Sequence, residues 1–248
     1  MHKEKVMAPP IRIKVGPGWS IGAGWTMGQG PAASVNGSIL LDGTNYLTVP
    51  NNTAFDQNSG AWTVESFVYP TANVEEYIYM QNTVGFLGMV YYYGNFRVDQ
   101  RGNYRISSPS TYALNNWYHV AMTYDGAGTV TLWVGGVSVG TWASSGLVAS
   151  ALTTQIGCFD TGSNPFIGNI SNLRVVKGVA VYTGAFTVPT APLTTTQGAG
   201  TNISAITGTQ TQLLLNTYQG AGFLTDASTN NFTVTNIGSA TSAALNPF

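Results

Sequence analysis

Apolar residues recur along this chain with a two-residue period, in short runs cut by turn signals, and no stretch sustains the 3.6-residue period of an amphipathic helix. Trp62-Thr63-Val64-Glu65-Ser66-Phe67-Val68-Tyr69 is the longest alternating run. Before it, Ile39-Leu40-Leu41 leads into Asp42-Gly43, and Tyr46-Leu47-Thr48-Val49 ends at Pro50. Gly94-Asn95 separates the apolar runs at 89–93 and 96–99, which predicts a two-residue hairpin. Asp125-Gly126 separates the runs at 117–124 and 130–134, and Gly135-Gly136 turns 132–134 back into 137–139. Residues 166–176 supply a further strand, and Gln212-Leu213-Leu214-Leu215 and Phe232-Thr233-Val234-Thr235 two more. Many short strands joined by tight turns predict an all-β, two-sheet jelly-roll sandwich.

The two ends depart from this pattern. Residues 1–34 hold four basic residues against one acid, and the rest of the chain five against nine. Within this leading arm Ile11-Arg12-Ile13-Lys14-Val15 alternates apolar and basic residues. Gly18-Trp19-Ser20-Ile21-Gly22 and Gly24-Trp25-Thr26-Met27-Gly28 then form a short repeat. Trp19 and Trp25 are six apart, so on an extended chain they share a face. A segment this short cannot bury its own tryptophans. The arm is therefore expected to bind a partner by strand addition, with Arg12, Lys14, Trp19 and Trp25 as its contacts. Residues 183–210 are rich in Thr, Ala, Gly and Pro and read as a linker or wrapping segment. The resulting division is an arm at 1–34, a sandwich at 35–193, and a linker with C-terminal strands at 194–248.

Composition narrows the function classes. Only 8% of the 248 residues are charged, against about 25% in ordinary soluble domains. A net charge of −1 argues against nucleic acid as a partner. The single cysteine, Cys158, rules out a disulfide framework and a multi-cysteine metal site. No run reaches the ~18 apolar residues of a spanning helix, and no apolar segment of a secretory signal follows the first ten residues. The expectation is a protein made and folded in a reducing cytoplasm.

The middle of the chain resembles the laminin-G-like, concanavalin A-like sandwich family. The matching pieces run from Ser38-Ile39-Leu40-Leu41-Asp42-Gly43-Thr44-Asn45-Tyr46-Leu47 through Trp62-Thr63-Val64-Glu65-Ser66-Phe67-Val68-Tyr69-Pro70 and Trp117-Tyr118-His119-Val120-Ala121. They end with Gly168-Asn169-Ile170-Ser171-Asn172-Leu173-Arg174-Val175-Val176-Lys177-Gly178. A narrower resemblance, to virion proteins of tailed bacteriophages, is carried by Asp226-Ala227-Ser228-Thr229-Asn230-Asn231-Phe232-Thr233-Val234-Thr235 and by Asn246-Pro247-Phe248. Family members often place such Leu-Leu-Leu and Asp-x-Ser-x-Asn-Asn pieces ahead of the Leu-Asp-Gly strand. Here they come last, which reads as a circularly permuted order completing the same sandwich, or as a swap into a neighbouring subunit.

Enzymatic chemistry finds little support. A glycosidase needs two carboxylates about 5–9.5 Å apart, and no Glu-x-Asp-x-x-Glu strand is present. Glu65 stands alone, Glu75 and Glu76 are adjacent and so face opposite sides of a strand, and Asp42, Asp125 and Asp226 fall in turns. His119 sits in an alternating strand, where a structural role is expected. No Gly-Lys-Ser/Thr follows the glycine-rich stretches. Asp160 is a weak calcium candidate, because one carboxylate is far short of six to eight oxygen ligands. Sugar sites use exposed aromatic faces flanked by amides and acids, which singles out Tyr92 and Trp142 as candidate glycan contacts. What the resemblance implies is a non-enzymatic virion component without cofactor or metal. The expected form is a capsid decoration (cement) protein on the virion surface, a homotrimer binding the major capsid protein through its arm. The rival is a carbohydrate-binding adhesin on tail or capsid.

Overall fold

The computed structural model describes residues 37–81, 83–216, 218 and 220–248. The arm contacts Arg12, Lys14, Trp19 and Trp25 lie outside the described residues. Those described form two antiparallel sheets and no α-helix. The strands in chain order are β1 Ser38–Asp42, β2 Tyr46–Val49, β3 Trp62–Pro70, β4 Glu75–Met80, β5 Gly88–Tyr92, β6 Asn95–Asp99, β7 Tyr104–Ser107 and β8 Tyr118–Tyr124. They continue with β9 Thr129–Val134, β10 Val137–Ala143, β11 Thr154–Ile156, β12 Ile167–Lys177, β13 Thr211–Leu215, β14 Thr235–Ile237 and β15 Thr241–Ala243. One sheet runs β10-β9-β8-β3-β12-β1-β15, with β13 also on β12; the other runs β14-β2-β11-β4-β5-β6-β7. This is the jelly-roll sandwich that the alternation predicts.

The C-terminal strands complete the sandwich within the chain. Strand β12 is eleven residues long, and its edge is shared end to end. Ile167–Ile170 pair with β1, and Leu173–Val176 pair with β13. The break between them is Asn172, whose φ of +53° is a left-handed conformation that Asn tolerates. The register of β12 against β3 shifts at the same point. Strand β15 extends the first sheet beyond β1, and β14 caps the second beyond β2. Asp226, read as a turn residue, anchors this addition. Its buried carboxylate accepts from the backbone N–H of Leu214, Ser228 and Phe232 and from the Ser228 hydroxyl.

The two faces of the first sheet explain why some runs do not alternate. Leu213 and Leu215 point into the inter-sheet core with Ile39, Val64, Val68, Met122 and Ile170. Leu214 points the other way, onto Phe67 and Leu193. Val176 likewise leaves the core to pack with Trp133, Val181, Tyr182, Phe186 and Ile206. The Thr- and Pro-rich segment is thus a cover laid over the outer face of this sheet, so residues of β3, β8, β12 and β13 are buried on both sides.

Beneath that cover lies a charged cluster. Glu65 Oε1 accepts from Arg174 Nε at 2.8 Å, while Oε2 accepts from the Tyr182 hydroxyl at 2.6 Å and His119 Nε2 at 3.0 Å. Arg174 also donates to the Thr194 carbonyl and to Gln197 Oε1, tying the cover to the sheet. Burial alone would raise the Glu65 carboxyl. The Arg174 charge and the bonds from His119 and Tyr182 outweigh it and hold the group down to about 2. Glu65 is therefore not the isolated carboxylate that its position in an alternating strand suggests, and His119 has the structural role expected of it.

Three glycines are required by geometry. Gly168 has φ +146°, and a Cβ there would meet the Tyr69 carbonyl oxygen at 2.1 Å. Gly135 and Gly136 both have positive φ, as the two-residue hairpin joining β9 to β10 demands. The β5–β6 hairpin turns one residue earlier than its Gly-Asn signal suggests. Tyr93 and Gly94, at φ +46° and +89°, are the central pair, and Asn95 already pairs with Tyr92.

Candidate functional site

The β5–β6 hairpin places the aromatic run 91–93 at a junction of two surfaces. Tyr91 faces inward, packs edge-on against Phe96 and donates to the Tyr112 carbonyl. Tyr92 faces outward and Tyr93, at the tip, is 54% exposed. Tyr91 and Tyr93 line a cleft of about 350 Å³ with Asn73, Gly94, Thr111, Tyr112, Ala113 and Leu114. The cleft opens at the rim of the sandwich, between the turn and the loop that leads into β8.

On the outward side, strand register assembles a polar and aromatic platform. Glu75 of β4 lies opposite Tyr92, and Arg97 of β6 lies opposite Val90, diagonal to Tyr92. Asp99 of β6 pairs with Tyr104 of β7. The Arg97 guanidinium carbon sits 3.8 Å from the Tyr92 ring centroid and 4.4 Å from that of Tyr104. The Tyr104 hydroxyl donates to Glu75 Oε1 at 2.8 Å, and the Tyr77 hydroxyl donates to Asp99 Oδ2 at 2.8 Å. Tyr92 contacts Tyr93 and Tyr104 edge-on, at 4.8 and 5.1 Å. Burial, reinforced by these carboxylates, raises the phenols of Tyr77 and Tyr104, which remain neutral donors at neutral pH. Burial also raises the Asp99 carboxyl. Tyr92, Tyr93, Tyr104, Arg97 and Glu75 all retain exposure, in contrast to the covered face of the other sheet.

Such an arrangement offers stacking faces, donors and acceptors. Tyrosine faces take the apolar face of a flat ring. The guanidinium offers fixed donors, and the carboxylates accept. The most perturbed carboxyl nearby, Glu76, is raised to about 8 by burial. It lies opposite the inward-facing Tyr91 and is fully buried, so it faces no solvent-borne substrate.

The other sequence candidates lie elsewhere. Trp142 stands on β10 of the first sheet, half-buried against the core, with the Arg105 guanidinium carbon 5.1 Å from its ring centroid. It is not brought to the tyrosine platform. Asp160 sits in the tight turn closed by Ser163 N–H to the Asp160 carbonyl. Among the described residues no group of three or more His, Cys, Asp or Glu side chains converges on a metal-sized site. Cys158 is buried, and burial raises its thiol to about 11. Reading the sequence for aromatics alone finds Tyr92 but misses Glu75, Tyr77, Arg97, Asp99 and Tyr104. The alternation Phe96-Arg97-Val98-Asp99 holds the signal, since correct register across the hairpin puts Arg97 and Asp99 on the face of Tyr92.

Comparison with known proteins agrees with this architecture. The profile of the concanavalin A-like lectin/glucanases superfamily matches residues 41–181. Among solved structures, the chain is similar to a putative carbohydrate binding protein from Bacteroides ovatus. That match has 19% identity and a TM-score of 0.58, and it covers 85% of this chain and 60% of that one. A heptameric SAP-like pentraxin from Limulus polyphemus aligns at 21% identity and a TM-score of 0.44, over 63% of this chain and 80% of that one. The chain thus spans about 60% of the length of the Bacteroides protein. No curated protein matches.

Proposed function

The chain belongs to the concanavalin A-like lectin/glucanases superfamily, whose profile takes in more than half of it, and from that premise we propose that it is a non-enzymatic carbohydrate-binding module. The observation that carries this reading is the half-exposed platform of Tyr92, Tyr93 and Tyr104 around Arg97 and Glu75, beside an open cleft. Stacking faces with both donors and acceptors in reach suit a hydroxylated ring. The shared fold of the Bacteroides protein, described as putatively carbohydrate binding, supports the assignment.

Glycan-array screening followed by calorimetry of the full chain tests it. Tyr93→Ala is expected to weaken binding about tenfold, consistent with a lost stacking contact of about 1.4 kcal/mol. Its unfolding midpoint should stay within a few degrees of the parent's, because the side chain is exposed. Trp142→Ala should leave affinity unchanged. A parent chain that binds no glycan would end this reading.

The finer assignment is to the surface of a tailed-bacteriophage particle, and it rests on the resemblance of the Asp226–Thr235 and Asn246–Phe248 segments. There the chain is proposed as a capsid decoration protein. It would be a homotrimer, holding the major capsid protein through residues 1–34 and reinforcing the shell by many weak contacts. An adhesin role at the same surface is the other form of the proposal. Quantitative gels of purified particles separate them. Decoration gives hundreds of copies per particle and shells that weaken when 1–34 is deleted, whereas an adhesin gives few copies and shells indifferent to that deletion.

A further inference from the structure

The platform's electrostatics narrow the class of sugar, on the premise that the carbohydrate-binding reading holds. Arg174 spends its guanidinium on Glu65, Thr194 and Gln197, and Arg105 donates to Gln100. Arg97 is held differently. Two tyrosine rings fix its plane, its Nε has no hydrogen-bond partner, and among the described residues no carboxylate lies within ion-pair distance. Nε is buried, so the donors open to a ligand are the oriented terminal nitrogens. Glu75 is oriented in turn by the Tyr104 hydroxyl, on whose ring Arg97 also rests, so an oriented donor and an oriented acceptor flank one aromatic ring. Asp99 lies behind them, tied to Tyr77 and to the Gly102 N–H. Glu75 is thus the carboxylate of this cluster that keeps solvent exposure.

We infer that this site takes a neutral sugar through a vicinal diol and discriminates against acidic sugars. One ring hydroxyl accepts from the Arg97 guanidinium, and its neighbour donates to the Glu75 carboxylate. The ring face rests on tyrosine. A uronate or sulfate would gain Arg97 but would meet the Glu75 carboxylate as a like charge, where partial burial weakens screening.

The test is calorimetric titration of the full chain with neutral gluco-, manno- and galacto-oligosaccharides, each paired with its C6-oxidised uronic acid counterpart. The expected result is that at least one neutral member binds and its acidic counterpart binds at least tenfold more weakly. Arg97→Lys keeps the charge but loses the planar fork, and should weaken the neutral member tenfold or more. Glu75→Gln keeps the shape but removes one negative charge, and should narrow the gap between the paired ligands with the unfolding midpoint little changed. An acidic member that binds the parent as well as its neutral counterpart overturns this inference and leaves the carbohydrate reading standing. Absence of binding by both members of every pair, and across the glycan array, overturns both.

Discussion

Replacing Arg174 with methionine is expected to lower the unfolding free energy by about 3–5 kcal/mol at pH 7. The side chain it removes is the charge that keeps Glu65 ionised under the cover segment, and neither residue has any solvent exposure. Its loss strands a buried carboxylate and frees the Thr194 and Gln197 contacts that hold the cover down. The pH profile gives the sharper reading. In the parent, Glu65 sits at about 2, below the ordinary carboxylate value of 4.5. Its contribution to stability is therefore complete above about pH 4.5 and is lost as the pH falls toward 2. Without Arg174, only the His119 and Tyr182 bonds oppose burial and the carboxyl rises, so the variant is penalised as the pH climbs through the carboxylate range. The gap between parent and variant should be widest at neutral pH and should close toward pH 3. Urea denaturation at pH 3, 5 and 7 measures this. Changing both partners, Glu65→Gln with Arg174→Met, should recover part of the loss, because no charge is then left unpaired. A gap that is flat with pH would mean the cost is one of packing and not of charge.

This cluster marks the limit of what alternation along the chain conveys. The strand at Trp62–Pro70 is legible from Trp62, Val64 and Val68, which share the inter-sheet core, while Glu65 points away from it. What the pattern does not carry is that the outer face is itself covered, by a segment whose Thr-, Ala- and Pro-rich composition reads as surface. Glu65 and Arg174 are separated by 109 residues, and no local rule links them. The Leu213-Leu214-Leu215 run did hold a hint, since three successive leucines in a strand need partners on both faces. The tyrosine platform was half legible for a related reason. Tyr92 is conspicuous by type, but Arg97 and Asp99 acquire meaning only from hairpin register, and placing the turn at Gly94-Asn95 instead of Tyr93-Gly94 would set Arg97 opposite Tyr92 and not opposite Val90. The arm expected from charge and tryptophan content lies outside the described residues.

Deleting residues 206–248 should abolish the fold outright, a larger effect than any single substitution. The deletion removes β13, β14 and β15, hence the partner of the second half of β12 and the outer neighbours of β1 and β2. It also takes Leu213, Leu215, Tyr218, Phe223 and Val234 out of the inter-sheet core. At about 1.5–3 kcal/mol for each fully buried large apolar side chain, those five losses alone reach the 5–15 kcal/mol that stabilises a typical domain. The stranded N–H and C=O groups of β12 add to the deficit, because they lie in a strand buried on both faces and water cannot replace their partners. The truncated chain should therefore be recovered insoluble, or show no cooperative thermal transition by circular dichroism. The intact chain should melt as one unit. Asp226→Ala offers a graded version in which the core residues remain but three backbone N–H groups lose their acceptor, and its midpoint should fall clearly without loss of cooperativity. If residues 37–205 instead fold and melt cooperatively alone, the C-terminal strands are an accessory layer. The late position of the Leu-Leu-Leu and Asp-x-Ser-x-Asn-Asn segments would then reflect addition to a finished sandwich, not permutation of one.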